Sequence, residues 1–246
     1  MECLTLDLSS FENVKEVVSH IDGNYEQLDA LLHIAATMGL DNVTADGFIE
    51  TVEINVVSPV LMNKLLLPKL QSAPHPRVIH VGSANAYDPL DWPATNQVTA
   101  AIEWMTGRQP HPGQSKYYWY SFTKFIFLQY AKELAERESA ITSFSVNPGF
   151  FRDDPSKYKD QCKPVLLFEP CPQYPDQGAT STFFTAAQPG IEAYSGSLID
   201  FDTTLPTTGE YPWIQSGDTC IPRPLPPPWN ETQRSDFYDE LQKLIL

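Results

Sequence analysis

Two kinds of apolar stretch alternate along this chain, and their patterns predict strands and helices in turn. The unbroken apolar run at residues 28–36 and the run at 77–83 predict strands that are buried on both faces of a parallel sheet. Residues 141–146 predict a third strand of this kind, and residues 196–201 predict the final one. Before them all, residues 3–8 predict a short strand.

Segments with one apolar face separate these strands and predict helices. Ser9 or Ser10 is suited to cap the first helix, which Gly23-Asn24 brings to an end. Further helices are predicted at residues 44–70, 117–138, 176–187 and 236–246. The alternation of strands and helices predicts an α/β fold, with a parallel sheet covered by helices on both faces. Because there is no internal repeat or linker, we expect residues 1–246 to form one domain.

Two long segments have no regular pattern. Residues 84–116 form a connection that is rich in proline and contains a short helical turn at residues 100–105, and residues 202–229 are predicted to be irregular. Loops of this length in a compact domain are usually functional or disordered, and the tryptophans Trp92 and Trp104 argue against disorder in the first. We therefore expect residues 84–119 and 202–229 to border a substrate.

The composition excludes some classes of binding partner and predicts the cellular compartment. The 246 residues carry a formal net charge of -15, which argues against binding to nucleic acid or to an anionic membrane surface. No apolar run approaches the ~20 residues of a membrane span, and the N-terminus lacks the pattern of a signal peptide. The four cysteines form no C-x-x-C pair and have no histidine at metal-ligand spacing, so no metal site is expected. Free thiols in the cytoplasm are expected, with a Cys162–Cys171 disulfide as the alternative in an oxidising compartment.

Tyr120 and Lys124 are the strongest candidates for chemistry. Four residues apart on a predicted helix, they lie on one face, one turn from each other. An adjacent ammonium favours the phenolate of a tyrosine, which makes the phenol a better proton donor near neutral pH. Ser83 ends a buried strand, at the edge of an α/β sheet where ligands bind. Asn55 lies among apolar residues of the second helix and is either a satisfied core amide or a functional one.

These residues, taken in order, resemble the short-chain dehydrogenase/reductase family over nearly the whole chain. The long connection between Ser83 and Tyr120 and the C-terminal helix resemble the retinol-dehydrogenase-like branch, which includes fungal members tied to secondary metabolism. The residues that match the motifs of the family, in chain order, are Asp7-Leu8, Leu28 to Ala36, Asn55, Ser83, Tyr120, Lys124 and Pro148-Gly149.

The resemblance implies a Rossmann-like doubly wound fold and an oxidoreductase that interconverts a carbonyl and an alcohol on a small apolar molecule. In this interpretation Tyr120 exchanges the proton, Lys124 lowers the tyrosine pKa, Ser83 orients the substrate oxygen and Asn55 anchors a water in a proton relay. The implied cofactor is NADP(H), with NAD as the alternative. Its contacts would come from Asp7, Ala35, Tyr120, Lys124, Pro148 and Gly149. The family also implies a homo-oligomer formed through the long helices.

The chain departs from the family at its start. The first β-α-β unit is lacking, and no Gly-x-x-x-Gly-x-Gly turn follows a strand, so neither the pyrophosphate cradle nor the residue that selects NADP over NAD is found. One explanation is a gene model or transcript shortened at its 5′ end. The other is a short protein in which residues 3–7 pair with the strand at 77–83. The second explanation favours a redox-inactive relative that does isomerisation, dehydration or cyclisation, or a binding protein without activity.

Overall fold

The fold is built on one mixed sheet. The structure, a computed structural model, describes residues 1–39, 42–83, 85–86, 97–108, 116–149, 178–202, 219–223 and 229–245. Within these ranges the strands are β1 (Ala30–His33), β2 (Arg77–Val81), β3 (Thr142–Asn147), β4 (Leu198–Asp202) and β5 (Thr219–Arg223). They lie side by side in that order. The first four are parallel and β5 is antiparallel to β4.

Helices cover both faces of this sheet. They are α1 (Phe11–Asn24), α2 (Glu50–Val52), a π-helical turn (Glu53–Val57), α3 (Ser58–Gln71), α4 (Val98–Met105), α5 (Lys116–Arg137), α6 (Thr180–Ala187), a 3₁₀ turn (Ile191–Tyr194) and α7 (Glu231–Leu244). Alternate residues of β2 serve the two faces: Val78 packs into the core with α1, α3, α5 and α7, whereas Ile79 packs with Phe144 and the apolar face of α6. The predicted α/β fold with helices on both faces is confirmed.

The helix ends show why these segments are helical. Ser10 caps α1, since its side chain accepts a hydrogen bond from the Asn13 backbone N–H at 3.3 Å, and the helix ends at Asn24 as predicted. Asn230 and Gln233 form a reciprocal capping box at the start of α7. This cap starts α7 at Glu231, five residues before the predicted position.

The N-terminal part of the sheet differs from the prediction. Residues 3–8 form no strand, so that prediction is wrong. Because β2 pairs with β1 and β3, the alternative in which residues 3–7 pair with the strand at 77–83 is also wrong. The strand predicted at 28–36 is reduced to the four residues of β1, and Leu32 is 37% exposed instead of buried. Among the described strands nothing pairs with the other side of β1. An edge strand has fewer neighbours to bury it, which accounts for its exposure.

Two further boundaries were predicted wrongly. The helix expected from residue 44 begins at Glu50, because the backbone first turns at Gly47, which has a φ of 90°, and Val43 bridges to Ile49. The strand predicted at 196–201 is not the last one, since β5 lies within the segment that was expected to be irregular.

Some of the predictions concern residues outside the described ranges. Cys162, Cys171, Trp92 and most of the connection at 84–116 lie outside the described residues. In the described part of the chain no helix has the length and apolarity needed to cross a membrane. The same residues bring together no group of three histidine, cysteine, aspartate or glutamate side chains that could hold a metal ion.

Candidate active site

The parallel register places the candidate residues along one edge of the sheet. His33 of β1 is level with His80 of β2, and Val81 is level with Val146 of β3. The segments that follow these three strands therefore leave the sheet side by side, at its carboxyl edge. They carry the predicted residues Ala35, Ser83, Pro148 and Gly149. This is the edge where open α/β sheets bind their ligands.

Tyr120 and Lys124 lie one turn apart on α5, as the spacing predicted. The Lys124 Nζ atom is 5.4 Å from the centroid of the Tyr120 ring, within the range of a cation–π contact. Lys124 is only 4% exposed, whereas Tyr120 is half-buried. The lysine side chain is thus enclosed by protein, whereas part of the tyrosine residue is exposed.

The surroundings of Lys124 determine its hydrogen bonding and its pKa. Its Nζ donates a hydrogen bond of 2.5 Å to the carbonyl oxygen of Val81, the last residue of β2. Burial lowers the pKa of Lys124 to about 8, because the charged form loses its hydration. No ion pair with a carboxylate is found for it within the described residues. At neutral pH the lysine therefore remains mostly protonated, and no carboxylate of the described residues pairs with it.

Ser83 follows β2 through a tight approach. Gly82 donates its backbone N–H to the Val146 oxygen at 2.7 Å, and a Cβ on Gly82 would lie 2.6 Å from the Ser145 side-chain oxygen. A glycine is needed there to let the chain leave the sheet. The Ser83 hydroxyl donates to the Asn85 side-chain oxygen at 3.1 Å and accepts from the Asn85 backbone N–H at 3.2 Å. These two bonds fix the turn that presents Ser83 beyond the strand.

Asn55 lies in the π-helical turn between α2 and α3 and is buried. Such turns occur frequently at functional sites. Its side-chain oxygen accepts from the backbone N–H of Thr37 at 2.8 Å, and its amide donates to the Thr37 carbonyl at 2.9 Å. The amide also donates to the hydroxyl of Thr123 at 3.1 Å. Asn55 therefore ties the segment after β1 to the helix that carries Tyr120 and Lys124.

The remaining predicted cofactor residues have local roles that the structure makes visible. Asp7 is exposed, and its carboxylate accepts from the backbone and the hydroxyl of Ser9, which lowers its pKa. Ala35 is exposed after β1. Gly149 has a left-handed φ of 78°, and its N–H donates to the side chain of Asn147 at 3.2 Å. Pro148 and Gly149 thus turn sharply away from β3.

The described aromatic residues beside the candidate substrate loop pack against one another. Trp104 of α4 contacts Tyr118 and Trp119 of α5 at ring-centroid distances of 5.6 and 6.5 Å, and all three are buried. Burial raises the pKa of Tyr118 well above its usual value. Tyr87 lies outside the described residues, as Trp92 does. The described aromatics hold α4 against α5.

Three features of the site were missed from the sequence. Thr123 stands directly before Lys124, and its hydroxyl could have been noticed as a polar group on a helix that is otherwise largely buried. Thr37 contributes only backbone atoms, so its side-chain identity carries no signal. A buried network beneath the site was also missed: His33 bonds Asn63 at 2.7 Å, and Asn63 bonds His80 at 3.2 Å.

Comparisons with known proteins show what the chain is similar to. The family model for short chain dehydrogenase matches residues 1–95. Dehydrogenase/reductase SDR family member 13 of Bos taurus is 26% identical over 202 residues, covering 78% of this chain and 50% of that protein. Retinol dehydrogenase 11 of Mus musculus is 25% identical over 196 residues, covering 78% of this chain and 58% of that protein. The chain thus spans little more than half the length of these curated relatives.

Solved structures show the same fold. An uncharacterised protein of Mycobacterium paratuberculosis superposes with a TM-score of 0.61 at 19% identity, covering 98% of this chain and 74% of that one. A blue fluorescent protein from a metagenomic library, solved in complex with NADPH, has a TM-score of 0.54 at 20% identity, covering 79% of this chain and 72% of that one. The fold, the family match over residues 1–95 and these relatives together show that the chain resembles the short-chain dehydrogenase/reductase family and its retinol-dehydrogenase-like branch.

Proposed function

We propose that this protein is an oxidoreductase that interconverts a carbonyl and an alcohol on a small apolar molecule. The observation that carries the proposal is the buried ammonium of Lys124, 5.4 Å from the ring of Tyr120. A cation in a site of low polarity acts strongly on a neighbouring phenol and favours its phenolate. Tyr120 would give its proton to the substrate oxygen in reduction and take it back in oxidation.

Ser83 and Asn55 would support this proton transfer. The Ser83 hydroxyl, presented beyond β2, would hydrogen-bond the substrate oxygen and orient it towards Tyr120. Asn55 would keep the π-helical turn and the segment after β1 in place, and so provide the backbone around a water in the relay to Lys124. A side chain that transfers the proton, as Tyr120 would, typically contributes about 10²- to 10⁴-fold to the rate when it is held in position.

The residues at the carboxyl edge fit the nicotinamide half of NADP(H), which would supply the hydride when bound. Ala35 is exposed and carries only a methyl group, so it leaves space for close approach of a ring. The sharp turn at Pro148-Gly149 and the ammonium of Lys124 would hold the nicotinamide and its ribose. Asp7 would contact the adenine. NAD is the alternative, and cytoplasmic location, secondary metabolism and homo-oligomers through the long helices remain predictions.

The test combines nucleotide binding with turnover. NADPH and NADH are titrated while tryptophan fluorescence is followed, and reduction of a panel of apolar aldehydes and ketones is then measured at 340 nm. We expect Tyr120→Phe to bind nucleotide as the wild type does but to lose at least about a hundredfold in kcat. Tyr117→Phe removes a hydroxyl from an exposed position on the same helix and should keep its turnover. Undiminished turnover by Tyr120→Phe refutes the proposal.

A second candidate function needs no nucleotide. The buried ammonium of Lys124 and the neighbouring phenol of Tyr120 can move protons without a hydride carrier. If neither nucleotide binds, Tyr120, Ser83 and Lys124 could still move protons in an isomerisation, dehydration or cyclisation. A substrate change that Tyr120→Phe abolishes, without any nucleotide, would support this candidate over a binding protein.

A further inference from the structure

The hydroxyl of Thr123 joins the π-helical turn to the turn of α5 that carries Tyr120. Thr123 is fully buried, with 0% of its side chain exposed. Its Oγ1 donates to the backbone carbonyl of Tyr120 at 2.7 Å and accepts from the Asn55 amide at 3.1 Å. The hydroxyl proton is therefore committed to Tyr120, and the oxygen can only accept from Asn55.

The backbone of Thr37 decides which way the Asn55 amide faces, and the Thr123 oxygen accepts from the amide in that orientation. The Thr37 N–H can only donate, so it must meet the Asn55 oxygen, at 2.8 Å. The Thr37 carbonyl and the Thr123 oxygen can only accept here, so both must meet the Asn55 NH₂ group, at 2.9 and 3.1 Å. With the amide reversed, all three contacts would become repulsive. Thr123 supplies the one contact of this set that reaches α5.

We propose that Thr123 is a positioning residue whose hydroxyl links the Asn55 amide, which Thr37 orients, to the Tyr120 turn and so holds this turn in register with the segment after β1. The proposal deepens the proposed function and rests on it for its catalytic consequence. Loss of the hydroxyl removes one hydrogen-bond acceptor of the buried Asn55 amide. It also removes the hydrogen bonds that connect the Tyr120 turn to Asn55. Tyr120 and Lys124 would still be present, but the phenol would no longer be held at a fixed place relative to the strand ends.

The variants are Thr123→Val, which keeps the shape and removes the hydroxyl, and Thr123→Ser, which keeps the hydroxyl. Thr185→Val is the matched control. Thr185 is equally buried, lies on α6, and its hydroxyl also bonds a backbone carbonyl of its own helix, that of Ser181, at 2.5 Å. It thus loses the same kind of bond away from the candidate site.

The first readout needs no substrate or nucleotide. Hydrogen exchange of the full chain is followed by mass spectrometry. The peptide of interest contains the Thr37 backbone N–H, which donates a hydrogen bond to the Asn55 side-chain oxygen. We expect exchange in Thr123→Val to be faster by about tenfold, the factor that corresponds to one lost hydrogen bond, and to be unchanged in Thr123→Ser and Thr185→Val. Equal exchange in Thr123→Val and the wild type overturns the proposal, as does equal acceleration in Thr123→Val and Thr185→Val.

The second readout separates positioning from a general loss of stability. For reduction of a carbonyl substrate, Thr123→Val should lower kcat by about tenfold and leave KM and the nucleotide Kd within about twofold, with Thr123→Ser restoring the rate. A parallel fall in kcat for Thr185→Val overturns the catalytic part. If the wild type turns over no carbonyl, the proposed function has failed, and the exchange result alone decides whether Thr123 holds Asn55.

Discussion

Replacement of Lys124 by methionine tests whether the ammonium of this site really stands in a desolvated position. The side chain is 4% exposed, and burial lowers its pKa from 10.5 to about 8. The difference corresponds to about 3 kcal/mol against the charged form in the folded protein. Methionine has a similar length and no charge, so Lys124→Met removes this cost together with the hydrogen bond to the Val81 carbonyl.

A measurement at one pH would mix these two effects, because a hydrogen bond from a charged group contributes about 1.5–3 kcal/mol of its own. The dependence on pH separates them. The folded-state pKa of Lys124 lies below that of the unfolded chain, so between about 8 and 10.5 the unfolded chain binds more protons. The stability of the wild type should therefore rise with pH relative to Lys124→Met. From pH 7 to pH 9 the relative gain should be about 1.3 kcal/mol.

The assay is equilibrium unfolding in guanidinium chloride at pH 7, 8 and 9, with the difference between wild type and variant taken at each pH. Lys132→Met serves as the control for removal of a lysine from α5, since Lys132 is partly exposed and pairs with Glu136 at 3.0 Å. Equal stability differences at pH 7 and pH 9 for Lys124→Met would refute the reasoning. Lys124 would then not be desolvated, and its special effect on Tyr120 would have no physical basis.

Two other buried groups should give pH effects of opposite sign. Burial raises the pKa of Glu53 to about 7, so the stability that this group contributes is present at low pH and is lost as pH rises. Relative to Glu53→Gln, the free energy of unfolding of the wild type should fall by roughly 2–3 kcal/mol between pH 5 and pH 8. Burial lowers the pKa of His33 to about 4, so the stability that this group contributes is present above pH 6.5 and is lost on acidification. Relative to His33→Gln, the free energy of unfolding of the wild type should fall by about 2 kcal/mol between pH 7 and pH 5. Denaturant titrations check both, and a slope of the reverse sign contradicts either assignment.

The sequence predicted the elements whose signals are local. The cap at Ser10 lies beside the helix it starts, and the apolar run that becomes β2 is followed at once by Gly82 and Ser83. The four-residue spacing of Tyr120 and Lys124 needs only a helix to bring the two side chains together. These predictions succeeded because each depends on a few neighbouring residues and not on the rest of the fold.

The failures depend on partners that lie far away in the chain. Residues 3–8 have the composition of a strand, but a strand exists only where another strand offers its backbone, and Leu4 and Leu6 remain 39% and 37% exposed. The same absence of a neighbour leaves Leu32 of β1 exposed. In the site, the contact of Asn55 with Thr37 is made to the backbone, and its contact with Thr123 spans 68 positions. No local pattern records contacts of this kind.

The buried histidines beneath the site bear on how Lys124 can act. His80 directly precedes Val81, the residue whose carbonyl holds Lys124, and burial together with the charges of His33 and Lys124 keeps the pKa of His80 well below its usual value. Its two ring nitrogens lie 3.1 Å from the Phe144 carbonyl and 3.2 Å from the Asn63 amide, which suits the neutral ring. The histidines thus add no positive charge, and no described carboxylate pairs with the lysine to cancel its field. Among the charged groups of the described residues, the ammonium of Lys124 contacts the Tyr120 ring, and such a cation favours the phenolate that a proton-exchanging phenol must form.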